Sequence, residues 1–535
     1  MTWSSMRGRP RDLPVDRTPL RGAHVDGRAR IAWLVRVSRM ASPVGGTGRD
    51  FSHRLTAAGF PVGASALSRR EHGQEEISGA MLSAYETVLE LPIGQLRSVC
   101  RPLRRLSAPH EIVRPEPIDR ADLSVRLSRL EERIASGEAC ATDWLTLAQM
   151  LVQGGVVLPP SVLQHWVDQL LSEMLRSVGT AYVGRFEALA QMMRDRVTRR
   201  SVVSAVMSTV DTPGSGCTID ALSVLGESGD METVDRMVDL FEHRTQRIRL
   251  GAARALLQQI VLGRLTVDQV DRIQHAILTV AREDPDDGGW PSFMLAQRIS
   301  LPMTRMVVAL LGTNPGNRPH GAYIQDPALL HRYLRAAADD SGVHDDRMLE
   351  RLVREALTED FLERQHHSSL MLMASPYREV LAETAVDIVA AVDDPVAREA
   401  AGGLLSYLGT IEQRPRLLGL LACPEADVQH IALRALAHAG GVPADVDLGS
   451  RLTRPELART TLYAAGMSGH PVLESAVRSP EATETVRAGA RWWIRAGSAV
   501  RDAPGDHRIA CGQGTPDEPA PPDQEDVDRR SAAMV

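Results

Sequence analysis

The stretch Val62–Gly73, "VGASALSRREHG", sets the reading of the whole chain. Between Ala64 and Gly73, Leu67 is its one large apolar side chain, and polar and charged residues surround it. That pattern predicts a short helix from about Ala64 to His72, with Leu67 inward and the opposite face offered outward. Gly73 ends it, because glycine takes the left-handed backbone with which helices commonly stop. Pro61 keeps the preceding helix from running on.

Working outward, residues 1–27 are rich in Arg, Pro and Gly without periodicity and are expected to form a disordered arm. A packed unit follows over 28–108. Its first helix, 28–40, carries Ile31, Leu34 and Val35 on one face, and "SPVGGTG" (42–48) breaks it. The second, 49–59, has Phe51, Leu55 and Ala58 at buried-stripe spacing and Gly59 as its cap. After the third helix comes a fourth over 78–91, with Met81, Leu82, Tyr85 and Leu89 inward. "PIGQLRSVC" then gives a short fifth helix.

Five short helices with a tight turn before the third resemble the lambda-repressor/Cro type of helix-turn-helix, the xenobiotic-response-element family. Val62, Leu67, Ser68, Arg69, Glu71 and Gly73 match its pattern, and "AYETVLELP" (84–92) is similar to its fourth-helix ending. The resemblance covers the head alone and implies a double-stranded DNA partner. The third helix would enter the major groove with Ser65, Ser68 and Arg69 outward. Arginine is the commonest reader of guanine, through a fork of hydrogen bonds to O6 and N7. Arg49, Arg54 and Arg70 are placed for phosphates, which fix register without carrying sequence information. Glu71 has the wrong charge for DNA; the family implies an internal ion pair to the first helix, with Arg39 or Arg36. Two features depart from the family: the turn before the third helix is longer, and Arg70 stands where an apolar residue or Trp is usual.

Charge agrees with this division. Residues 1–110 hold 17 Arg against 9 Asp plus Glu, so 17 − 9 = +8; the total of −7 leaves −15 for the remainder. A basic head on an acidic body suits a head that meets polyanions. No lysine occurs, so all 61 basic residues are Arg. That excludes a Walker-type phosphate loop, a Schiff-base lysine and a kinase lysine. Five scattered cysteines without CxxC give neither a disulfide framework nor a zinc cage, and buried thiols are expected. No apolar run is long enough to span a bilayer, and the polar, Pro-rich start shows no secretion signal. The expected setting is the cytoplasm, at the nucleoid.

A charged, Pro-rich linker, 109–120, precedes a body expected to be helical over 121–502. Residues 123–135, 143–152 and 161–178 form amphipathic helices, and 186–206 adds more. Then "IRLGAARALL" (248–257), "VAREAAGGLL" (396–405), "VQHIALRALA" (428–437), "LARTTLYAAG" (457–466) and "VRAGARWWIR" (486–495) repeat. The last four start 32, 29 and 29 residues apart, one helical hairpin per step. Asp394 before Pro395 is an N-cap followed by a first-turn proline, and Asp427 lies similarly before Val428. The pattern resembles HEAT repeats, clearest over 215–500, which implies a stack with a concave surface for a protein partner, a ligand or a second copy. Trp492 and Trp493 are expected to close the stack. Residues 503–535 are acidic and Pro-rich, a disordered tail.

Two tempting motifs are set aside. Glu363-x-x-His366 lacks the second such pair that a di-iron bundle needs, so a solvated polar helix face is expected. "DPDDGGW" (284–290) lacks a calcium loop's final Glu, since Leu295 stands there. No catalytic residue, metal or cofactor is expected. The sequence therefore predicts an all-α chain, a five-helix helix-turn-helix domain followed by an α-solenoid, acting as a sequence-specific transcriptional regulator. The alternatives are an interaction scaffold with a degenerate head, or an α-solenoid nucleic-acid enzyme.

Overall fold

A computed structural model describes residues 13–20, 24–107, 123–154, 156–312, 327–358 and 362–502. Among them all regular structure is helical, apart from one isolated bridge between Ser177 and Val500. No helix among them is long and apolar enough to cross a membrane. The linker 109–120 and the tail 503–535 lie outside the described residues.

The first five helices are α1 (Gly27–Ala41), α2 (Gly48–Ala57), α3 (Ala64–Glu71), α4 (Gly79–Val88) and α5 (Gln95–Ser107). The starts of α1, α2 and α4 follow from side chains that satisfy the first free N–H groups. Asp26 accepts from the Ala29 N–H, Thr47 and Asp50 form a capping box, and Ser78 accepts from the Met81 N–H. Phe51, Leu55, Leu67 and Tyr85 are buried together, with Phe51 edge-on to Tyr85 at 4.8 Å. The fifth helix is longer than expected because Val99, Cys100 and Leu103 continue its buried stripe; it accommodates Pro102 inside.

The body begins with α6 (Leu123–Ala135), α7 (Ala141–Val152), α8 (Pro160–Leu175), α9 (Gly179–Arg194), α10 (Arg199–Asp211) and α11 (Thr218–Ser223). It continues with α12 (Met231–Phe241), α13 (Gln246–Val261), α14 (Val267–Glu283), α15 (Pro285–Ile299), α16 (Leu301–Leu311), α17 (Pro327–Ser341), α18 (Arg347–Thr358) and α19 (Leu362–Ala374). The last part is α20 (Arg378–Ala391), α21 (Pro395–Leu408), α22 (Arg414–Leu420), α23 (Ala426–His438), α24 (Gly449–Leu452), α25 (Pro455–Ser468), α26 (Val472–Arg478) and α27 (Glu484–Ala496).

Helices at the repeat spacing pack in succession: α21 on α23, α23 on α25, and α25 on α27. Small residues make this possible. A Cβ at Gly402 would sit 2.7 Å from the Ile431 side chain, and one at Gly466 would overlap the Trp493 ring. Asp394 caps α21 as expected, accepting from the Val396 N–H at 3.0 Å. Asp427 does not cap α23, whose N-cap is Glu425. It lies in the first turn and pairs with Arg398 of α21 at 3.0 Å. Trp492 and Trp493 are buried. The chain beyond α27 returns to the start of the body: Val500 N–H donates to the Arg176 carbonyl, and Arg185 to Asp502 at 2.8 Å.

Two expectations need correction. Residues 13–20 and 24–26 belong to the packed structure, not to a disordered arm. Arg30 of α1 is fully buried and donates to Asp16 Oδ2 at 2.7 Å, Glu355 Oε2 at 2.7 Å and Ser368 Oγ at 3.0 Å. Arg351 donates to the Asp16 carbonyl at 2.6 Å, and Arg364 to the carbonyls of Leu20 and His24. Nor does the head hang free from the linker. Trp33 Nε1 donates to Asp346 at 2.9 Å, Gln95 to the Ala374 carbonyl at 2.8 Å, and Arg105 reaches both Glu187 and Glu227. Hence α1 is buried nearly all round rather than on one face.

Candidate nucleic-acid interface

The turn into α3 is fixed from both sides. Phe60 N–H donates back to the Leu55 carbonyl at 2.8 Å, and Gly59 takes φ 84° to allow it. The Ser52 hydroxyl donates to the Val62 carbonyl. Leu67 then points into the head, and Gly73, at φ 74°, ends the helix region as its sequence implies.

Glu71 is the anchor beneath the outward face. It accepts from Arg39 Nε and Nη2, both at 2.6 Å, and from the Tyr85 hydroxyl at 2.7 Å. Of the two partners the family resemblance left open, Arg39 is the one used. Burial and the Glu71 carboxylate push the Tyr85 phenol well above its usual range, so it stays a donor. Arg36 instead meets His72 Nε2 at 2.8 Å.

Ser65, Ser68 and Arg69 are exposed on α3, as are Arg49 and Arg54 on α2. Arg49 and Arg54 form no ion pair among the described residues. Arg70 turns toward α4, with Nη1 3.8 Å from the Met81 sulfur and Nε 3.5 Å from Glu75. Glu75 is a participant the sequence reading missed: it pairs with Arg69. The spacing of six residues, past the helix end, carries no helical signal for that pair. Their side chains are 49% and 35% exposed, so the pair is weak and gives way to a stronger acceptor. If α3 contacts DNA, Glu75→Gln should tighten that binding several-fold, read by fluorescence anisotropy at fixed salt.

The set-aside motifs resolve differently. Asp284 caps α15 and pairs with Arg249 at 2.7 Å. The α19 polar face is not solvated: Arg364 and Ser368 are buried, and His366 Nδ1 lies 2.9 Å from the Tyr407 hydroxyl. Among the described residues no His, Cys, Asp and Glu group is placed to hold a metal ion. Cys100, Cys140 and Cys217 are buried thiols, and burial pushes the first two up to about 12.

His438 makes a second such pair. Its Nδ1 donates to the Ser406 carbonyl at 2.6 Å, and its Nε2 accepts from the Tyr463 hydroxyl at 2.9 Å. Burial lowers both His366 and His438 from 6.5 to about 4. The unfolded chain therefore takes up protons first as pH falls. Their contribution to stability is full above about pH 6.5 and is lost between there and about pH 4. The slope is about 1.4 kcal/mol per pH unit for each histidine. Urea unfolding at pH 7, 6 and 5 checks this, and a His366→Gln, His438→Gln double variant should show a shallower slope.

No protein-family model matches the chain, and no curated protein matches it.

Proposed function

We propose that the chain is a sequence-specific DNA-binding transcriptional regulator. In this reading α3 enters the major groove, α2 lies on the backbone, and the HEAT-like body binds a partner, a ligand or a second copy. One observation carries it: the outward face of α3 presents Ser65, Ser68 and Arg69 beside the unpaired Arg49 and Arg54, on a base locked by Arg39, Glu71 and Tyr85. Precise groups on a rigid support are what base reading requires. Arg70, held by Glu75 and Met81, serves as a secondary phosphate contact.

Selection of bound duplexes from a random pool with the full chain tests this reading. A defined motif supports it, and recovery of unselected sequence overturns it. Against that motif, Arg69→Ala should cost about 1–3 kcal/mol, with little change on random DNA. Equal losses on both would make Arg69 a phosphate contact only.

A further inference from the structure

We propose that the body holds a binding site for a small molecule bearing phosphate groups, in the cavity between the α10–α11 turn, α13 and helices α23–α27. The inference is independent of whether α3 reads DNA. The cavity measures about 1380 Å³. Ligand pockets commonly measure roughly 300–1,000 Å³, so a nucleotide-sized molecule has room.

Its lining is rich in cations, two of them without a hydrogen bond or salt bridge among the described residues and two only partly engaged. Arg247, Arg254, Arg434 and Arg459 all face it. Arg254 and Arg459 make no hydrogen bond or ion pair among the described residues. Arg434 gives Nη1 to Glu399 at 3.2 Å and leaves Nε and Nη2 without a partner. Arg247 donates to the Ser215 and Gly216 carbonyls, and its Nε is unpartnered. Ser475 and Thr485 add hydroxyls to the same wall.

Three carboxylates, Asp211, Asp220 and Glu481, also line the cavity; none forms a salt bridge with these arginines among the described residues, although Asp220 feels the charges of Arg254 and Arg247. Arg254 and Arg459 are exposed to the cavity, whereas the partnerless nitrogens of Arg247 and Arg434 are buried; such buried donors are costly, and an anion entering from solvent lowers that cost. Arg247 and Arg459 are each held below the usual arginine range by burial, and the charge of Arg459 adds to the effect on Arg247. A guanidinium presents a planar fork of donors that matches phosphate oxygens in pairs. Several forks and hydroxyls on different walls suit a phosphate, whose oxygens point in three dimensions, better than a planar carboxylate.

The test is calorimetric titration of the full chain with pyrophosphate, ATP and citrate at matched ionic strength. Pyrophosphate and ATP should bind and raise the melting temperature, with citrate at least tenfold weaker. Arg254→Gln and Arg459→Gln should each weaken binding of both phosphates about tenfold, or about 1.4 kcal/mol. Neither side chain bonds within the fold, so melting without ligand should stay unchanged. The inference is overturned by absence of binding with both phosphates, by citrate binding as tightly as pyrophosphate, or by unchanged affinity in the double variant.

Discussion

If α3 reads DNA as proposed, affinity of the full chain for its preferred duplex should fall roughly fortyfold per head between 50 and 200 mM salt. The magnitude comes from counting charges on the α2–α3 face. Arg49, Arg54 and Arg70 are the three cations placed there for phosphates, Arg69 being assigned to a base. Each phosphate neutralised releases condensed counterions, so the logarithm of affinity falls by about 0.9 per contact for each decade of salt. If two heads bind one site, the exponent doubles. Arg49→Gln and Arg54→Gln should each lower the slope by about one and weaken all sequences alike, because phosphates carry no sequence information. Anisotropy titrations at four salt concentrations give the slope directly. A slope near zero would remove α3 and α2 from any DNA interface.

Local features of the head were legible because their causes are local. Pro61, Gly73 and the Leu67 stripe bound α3, and the structure places it at Ala64–Glu71. Asp394 before Pro395 marked the start of α21 in the same way. The Arg39–Glu71 pair was narrowed to two partners by family resemblance, and geometry chose between them. What escaped were the contacts that join the head to the body and distant parts of the body to one another. Asp16 lies in an Arg- and Pro-rich stretch that looks solvated, yet it is buried against Arg30 and beside Arg351. Nothing in a stretch of charged residues says which will be desolvated, because the partner decides. The α19 histidines were read as a solvated face for the same reason, since Tyr407 is 41 residues from His366. The cavity escaped too: its walls come from residues 210–254 and from 406–493, which meet where Gly214 and Gly216 lie against α27.

The strongest effect on stability should come from Glu355→Gln, about 3–5 kcal/mol. Glu355 is 1% exposed and accepts from Arg30 Nη2 at 2.7 Å, Arg351 Nε at 2.9 Å and Ser368 Oγ at 2.6 Å. Arg364 stands 3.7 Å away. Removing its charge leaves Arg30 and Arg351 facing Asp16 alone, in surroundings from which water is excluded. Uncompensated buried charge is what makes breaking such a network costly, even where the intact network adds little net stability. The loss also has a location, because this cluster joins residues 13–20 and α1 to α18 and α19. Trypsin should cut after the exposed Arg17 faster in Glu355→Gln than in the parent chain, if the segment loosens before the core does. Glu383→Gln is the control: its pair with Arg416 is 39% and 42% exposed, so its loss should cost less than about 1 kcal/mol. Guanidinium unfolding of the three proteins compares them. If Glu355→Gln proves no more costly than Glu383→Gln, the cluster does not hold the head on the body. The buried face of α1, with Trp33 against Asp346 and Tyr377, would then have to hold it alone.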